Sequence, residues 1–176
     1  MKKGRKIFLY IFIALLLAAG FVGWKLFGPA INAQGGNYLF IRTGSSYEQV
    51  RDSLVGKHMI SGTFWFDKVS GFLNYKKSIK PGRYKITDDM SLMSLVRMLR
   101  SGAQSPVNFV ITRIRTRDDL AKRIGNNFEL GPDLMRSFLN NPDSLSHYGL
   151  DTNTVMTAVI PNTYSLNWNT SPSRIF

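Results

Sequence analysis

The 176-residue sequence contains no cysteine, two histidines (His58 and His147) and two glutamates (Glu48 and Glu129). Without Cys, disulfide frameworks, thiolate zinc sites, iron–sulfur ligation and cysteine nucleophiles are all excluded. The two imidazoles lie far apart with no accompanying acid pattern, so neither a metal site nor a catalytic triad is predicted, and no cofactor is expected. Acids are scarce overall, 11 Asp+Glu against 23 Lys+Arg, for a net charge of +12. Five of those bases (Lys2, Lys3, Arg5, Lys6, Lys25) and no acids lie in the first 33 residues, leaving +7 on the other 143. That balance is basic without being histone-like. With 44% hydrophobic residues and 7 prolines, wholesale disorder is excluded, and the part after the N-terminus is long enough to bury a core as one domain or two small ones.

What the sequence does have is one long apolar run. Ile7 to Trp24 (IFLYIFIALLLAAGFVGW) is 18 residues without a charge, and as a helix at ~1.5 Å per residue it approaches the ~30 Å hydrocarbon thickness of a bilayer. Lys25 can snorkel, so Leu26 and Phe27 extend the apolar length, and Tyr10 and Trp24 are interface-preferring aromatics. The basic residues before the run place the N-terminus in the cytoplasm by the positive-inside bias and the bulk of the chain outside it. Ile31-Asn32-Ala33 is also a small-residue exit site for a cleaved signal. The length of the run and the distance to that cut favour a retained single-pass anchor.

After the anchor (1–27), Gly28 to Gly36 (GPAINAQGG) reads as a linker. Tyr38–Arg42 alternates like a strand that Gly44 ends, and Ser45 with Glu48 fits a capping box opening a helix through Val50, Leu54 and Val55. Ser61 is the next predicted cap, with Phe64, Trp65, Val69, Phe72 and Leu73 on one side of a second helix. Lys80-Pro81-Gly82 turns the chain into a short strand, Arg83–Ile86. The result is a compact β-α-α-β unit. Met90 to Arg100 forms a further helix stopped by Ser101-Gly102. A second strand-helix-helix pattern starts at Val107 (VNFVITR), with Thr116 as N-cap ahead of Asp118 and Asp119, and a helix opening at Gly131-Pro132. Asn141-Pro142-Asp143 reads as a turn and Val155–Ile160 as a buried strand.

The candidate sites weigh as follows. Glu48 is explained by its cap, and Asp118 and Asp119 by the helix dipole. Ser165 has no adjacent base that would make it a nucleophile. Of Phe64, Trp65, Phe66, Phe72 and Tyr75, which could stack on sugar rings, helical spacing predicts most as core. Trp168, flanked by Asn167 and Asn169, suits a hydroxyl-rich ligand. Asn162, Thr163 and Tyr164 fit equally a ligand site or a tight turn with a buried Tyr. The basic stretch Arg113, Arg115, Arg117, Lys122 and Arg123 lies outside the cytoplasm in this topology, so nucleic acid is not a partner. It is read as a solvated face, or one attracted to anionic murein stems or headgroups.

An N-terminal anchor, a β-α-α-β unit ending in Pro81-Gly82-Arg83-Tyr84-Lys85-Ile86, a helix ending Met98-Leu99-Arg100-Ser101-Gly102, and Ile160-Pro161-Asn162-Thr163-Tyr164 followed by Trp168-Asn169-Thr170 together resemble the MltG-type (YceG-like) endolytic murein transglycosylases. The β-α-α-β unit is similar to a LysM module. The resemblance implies an α+β organisation: cytoplasmic tip and transmembrane anchor 1–27, linker 28–36, LysM-like module 37–105, and 106–176 as the start of a mixed α/β catalytic domain, incomplete and therefore inactive. It implies an inner-membrane protein with its bulk periplasmic, peptidoglycan glycan strands and peptidoglycan synthases as partners, and substrate contact at Asn162, Thr163, Tyr164, Trp168 and Asn169. In the implied chemistry one glutamic acid protonates the glycosidic oxygen and then helps the muramyl 6-hydroxyl attack, leaving a 1,6-anhydro end. The family's wordings put that residue five positions before Pro161 or just after Tyr164. Those positions are Met156 and Ser165 here, so the resemblance assigns no catalytic residue. The alternative reading is a non-catalytic peptidoglycan-binding or scaffold protein.

Overall fold

The computed structural model of the protein describes residues 2–33, 37–88 and 90–176. The last three positions of the expected linker, 34–36, lie outside the described residues. Helix α1 (Lys2–Phe27) is unbroken. Its segment Lys6–Phe27, 22 residues, is long and apolar enough to cross a membrane, and its side chains are not buried by the rest of the protein. At ~1.5 Å per residue it measures ~33 Å.

The chain divides into two compact units. The first comprises residues 1–39, 45–80 and 84–103, the second 40–44, 81–83 and 104–176. Strand β1 (Tyr38–Ile41) pairs with β2 (Gly82–Lys85), and β3 (Val107–Ile111) with β4 (Asn162–Leu166), as two separate two-stranded sheets.

In the first unit, helices α2 (Tyr47–Gly56), α3 (Thr63–Phe72) and α4 (Leu92–Ser101) surround a core that includes Leu39, Leu54, Phe66, Tyr75, Tyr84, Leu95 and Leu99. The α2 cap sits one residue later than the spacing predicts. Ser46, not Ser45, holds the extended N-cap backbone, its hydroxyl accepts from Gln49 N, and Gln49 Oε1 accepts from Ser46 N at 2.9 Å. Gln supplies the same reach-back carbonyl as Glu, and Glu48 is left exposed in the first turn. The expected Ser61 cap is also displaced, because α3 begins after Gly62 without a side-chain cap.

The buried stripe of α3 is Phe66, Val69 and Ser70, so Phe64 and Phe72, read as core, point outward at 61% and 79% exposure. The reason is an aromatic nest. Phe66 stacks on Tyr47 with ring centroids 5.8 Å apart, and Tyr75 meets both edge-on. That nest fixes the rotation of the helix. Tyr47 Oη donates to Asp67 at 2.6 Å. Helix α4 follows expectation, capped by Ser91 and ended by Gly102 in the left-handed region at φ 75°.

Residues 28–33 of the expected linker are packed. Pro29 bridges Ser91, Ile31 bridges Ile60, and Asn32 N donates to Met59 O at 3.0 Å. Ala33 N donates to Asp88 Oδ1 at 2.6 Å, and Ile31 and Ala33 are buried.

Burial also sets the alkaline limit of this unit. It pushes the Tyr84 phenol up to about 12 from an ordinary 10.0. The Tyr75 and Tyr47 phenols are also raised, each first by burial and then by neighbouring tyrosines or by Asp67 respectively. A phenol whose folded pKa is raised stabilises the fold fully below the unfolded value and ceases to do so as pH climbs through the folded one. Stability should therefore fall between pH 10 and about 12, seen as helical circular dichroism lost together with the rise of tyrosinate absorbance. A helical signal unchanged through pH 12 would contradict it.

In the second unit, α5 (Arg117–Asn127) and α6 (Gly131–Asn140) pack together, followed by the short α7 (Pro142–Ser146) and α8 (Pro172–Ile175). The core includes Phe109, Leu120, Ile124, Phe128, Met135, Leu139, Leu145 and Val155. Thr116 caps α5 as predicted, accepting from Asp119 N at 3.1 Å.

Two elements differ from expectation. Asn141-Pro142-Asp143 opens a helix, because Asn141 Oδ1 accepts from Asp143 N and Ser144 N and Pro142 occupies its first turn. Val155–Ala158 is a 3-10 turn rather than part of a buried strand. Asp151 Oδ1 accepts from Asn153 N and Thr154 N at 2.7 and 2.8 Å, winding the chain just before it, and only Val155 of that turn is buried.

Candidate functional site

The sequence-derived candidates gather in the second unit along β4 and the segment after it. Strand β4 runs antiparallel to β3 with Val107 opposite Leu166, Asn108 opposite Ser165, Phe109 opposite Tyr164, Val110 opposite Thr163 and Ile111 opposite Asn162. Side chains alternate along a strand. The row containing Phe109 and Tyr164 therefore faces the core, while Asn108, Thr163 and Ser165 stand on the exposed face. Asn162 and Thr163 are thus strand residues, neither a tight turn nor a closed pocket. Asn162 Oδ1 accepts from Thr163 N at 2.7 Å, and half-buried Tyr164 donates its hydroxyl to Ile160 O at 3.0 Å.

Met156 and Ser165 are in different environments. Met156 belongs to the 3-10 turn and packs half-buried against the core, whereas Ser165 is exposed. Neither position brings a carboxyl to β4. The crevice beside Ile160 and Tyr164 holds about 60 Å³ and is lined mainly by aliphatic side chains and Phe176. That is well under the ~300–1,000 Å³ of a formed ligand pocket. A shallower hollow of about 360 Å³ is lined by Phe138, Asp143, Ser144, His147, Tyr148 and Ser173. Tyr148 Oη there is taken by Ser173 O at 2.7 Å. Among the described residues no group of three or more His, Asp or Glu converges as a metal site.

Trp168 has a more elaborate setting. Its ring meets Phe40 edge-on with centroids 5.0 Å apart, and its carbonyl accepts from Glu129 N at 2.9 Å. The Glu129 carboxylate in turn accepts at both oxygens from Thr43, from N at 2.6 Å and from Oγ1 at 2.8 Å. The indole is half-buried against the core, and half-buried Asn169 follows it. The cluster Phe40, Thr43, Glu129 and Trp168 escaped the sequence reading, which placed Glu129 only between two helices. Thr43 and Glu129 are 86 residues apart and no local pattern connects them. The one available signal was the rarity of glutamate itself. With both oxygens accepting hydrogen bonds, Glu129 serves as an acceptor that ties residues 40–44 into this unit, not as a placed proton donor.

The acids of α5 are structural, as read. Asp118 bridges Lys122 and Arg136, each at 2.7 Å, and these two cations hold its carboxyl below the usual range. Asp119 Oδ2 accepts from the Thr116 hydroxyl at 2.7 Å. The Pro81-Gly82-Arg83-Tyr84 wording is structural too. Arg83 donates to the carbonyls of Ser105 and Pro106, and Tyr84 is fully buried with its hydroxyl on Lys80 O at 2.8 Å.

Compared with known proteins, residues 39–176 match the model of the YceG-like family. No curated protein matches the chain. Among solved structures, it is similar to the crystal structure of a yceG-like protein from Listeria monocytogenes, at 20% identity and a TM-score of 0.41. That likeness covers 78% of this chain and 50% of the Listeria chain, so this chain spans about half the length of that protein.

Proposed function

Because the chain belongs to the YceG-like family over residues 39–176, we propose that it is a membrane-anchored peptidoglycan protein of the lytic transglycosylase type. The supporting observation is a family match that begins shortly after a 22-residue helix long and apolar enough to span a bilayer. In this reading α1 is a single-pass anchor in the plasma membrane with its basic end cytoplasmic, and both units lie on the far side. The first unit is LysM-like, built on the two-stranded β1-β2 sheet with helices between the strands, and the second is the start of the catalytic domain. Glycan contact falls to the exposed residues Asn162 and Thr163 with Tyr164, and to Trp168 and Asn169, whose indole and amides offer an apolar face and hydrogen-bond partners to a sugar.

The lytic reaction needs a carboxylic acid that first protonates the glycosidic oxygen and then, as carboxylate, takes the proton of the muramyl 6-hydroxyl as that oxygen closes on C1. Met156 and Ser165 cannot do this, and Glu129 is engaged by Thr43. These same residues favour the second reading, a chain that holds glycan without cutting it.

The two readings separate by experiment. Incubated with purified sacculi at low salt, the full chain should sediment with them while releasing no 1,6-anhydromuropeptides. Trp168→Ala should weaken binding roughly three- to tenfold, from the ~0.5–1.5 kcal/mol of an aromatic contact, with circular dichroism confirming the fold. Release of anhydro products by this chain would restore catalysis to its own residues. Failure to sediment would remove the glycan role altogether.

A further inference from the structure

We infer that the cleft where α1 meets the start of α3 is a seat for phospholipid headgroups, by which the first unit rests on the leaflet that α1 leaves. This rests on the reading of α1 as a membrane anchor. The cleft holds about 630 Å³, and its walls include Trp24 and Lys25 from α1, Ile31 and Ile60, and Phe64 and Trp65 from α3. Trp24 and Lys25 belong to the spanning segment itself. Any bilayer that houses α1 therefore brings its headgroup layer to the cleft, which is continuous with the membrane-facing surface of the helix.

The chemistry of the lining fits that layer. Phe64 and Trp24 are 61% and 62% exposed, a large apolar surface to leave in water. Aromatic rings of this kind favour the boundary between headgroups and acyl chains. Two ammonium groups sit on them: Lys25 Nζ lies 5.1 Å from the Trp24 ring centroid and Lys68 Nζ 5.6 Å from that of Phe64. No carboxylate lines the cleft among the described residues, so phosphate meets no repulsion there. The outward stripe of α3 continues one and two turns on as Lys68 and Phe72, the latter 79% exposed. Apolar rings alternating with a cation on one helix face are what a helix lying in the interface requires.

The test uses the three tryptophans, Trp24, Trp65 and Trp168. Full-length chains retaining only Trp65 or only Trp24, the others changed to Phe, are reconstituted in vesicles of anionic phospholipid with bromine at carbons 6 and 7 or at 11 and 12. Trp65 emission should fall by about half with the shallower bromines and less with the deeper ones, as for a ring ~5–10 Å into the headgroup and acyl boundary. Phe64→Asp in the Trp65-only chain should abolish most of that quenching. If Trp24 is quenched and Trp65 is not, the headgroup seat is overturned while the anchor stands. If neither is quenched, the anchor itself fails and the seat with it.

Discussion

Replacing Gly125 with alanine should destabilise the second unit by about 3 kcal/mol, against the usual sign of that substitution inside a helix. Gly125 lies in α5 where α6 begins, and a Cβ at that position would fall on the backbone of Gly131 and Pro132. Backbone cannot swing aside as a side-chain tip can, so the two helices must separate around the core formed by Leu120, Ile124, Met135 and Leu139. Alanine ordinarily gains ~1 kcal/mol over glycine within a helix, and the collision must exceed that gain. At ~2–4 °C per kcal/mol, a melting temperature roughly 6–12 °C lower is expected. Gly71 in α3 has nothing within 4 Å of its would-be Cβ, so Gly71→Ala should leave the melting temperature unchanged or raise it. Equal responses at the two positions would show that α5 and α6 do not pack as closely as described.

The second large effect is expected at Gly82. Its φ of +147° is one that side chains rarely adopt, and a Cβ would enter the volume of the Gln104 side chain. Backbone strain of ~1–3 kcal/mol adds to ~1 kcal/mol for the Gln104 hydrogen bond to Pro81 O, 3.0 Å long, that must be given up. Gly82→Ala should therefore cost about 2–4 kcal/mol in denaturant unfolding. Combining it with Gln104→Ala separates the two contributions. The double variant should be less destabilised than the sum of the single ones, keeping only the strain. Strict additivity would show that Gln104 does not oppose the added carbon.

These glycines mark what the sequence could and could not disclose. The Thr116 cap, the Gly102 stop, the strands at Tyr38 and Val107, and the apolar run of α1 were legible because each depends on residues within a turn or two of one another. The rotation of α3 was not, because the stripe Phe66, Val69 and Ser70 is selected by Tyr47 and Tyr75 from outside the helix. Strand β4 was obscured by Asn162, Thr163 and Ser165, polar residues that suit a turn as well as the open face of a two-stranded ribbon. The stretch after Asp151 looked like a strand by composition, yet side-chain hydrogen bonds around Asp151 coil the approach to it. Of the candidate site, Trp168 could be singled out by its amide neighbours. Its link to Thr43 through Glu129 spans 86 residues and leaves no periodicity to read.

The pinning of residues 28–33 through Pro29, Ile31, Asn32 and Ala33 bears on geography. A loose nine-residue leash would let its cargo roam over ~15–18 Å, sampling the wall at many depths. With most of that leash stitched down, a first unit mounted on a bilayer-seated α1 patrols a fixed altitude, and it meets the strands that pass at that height.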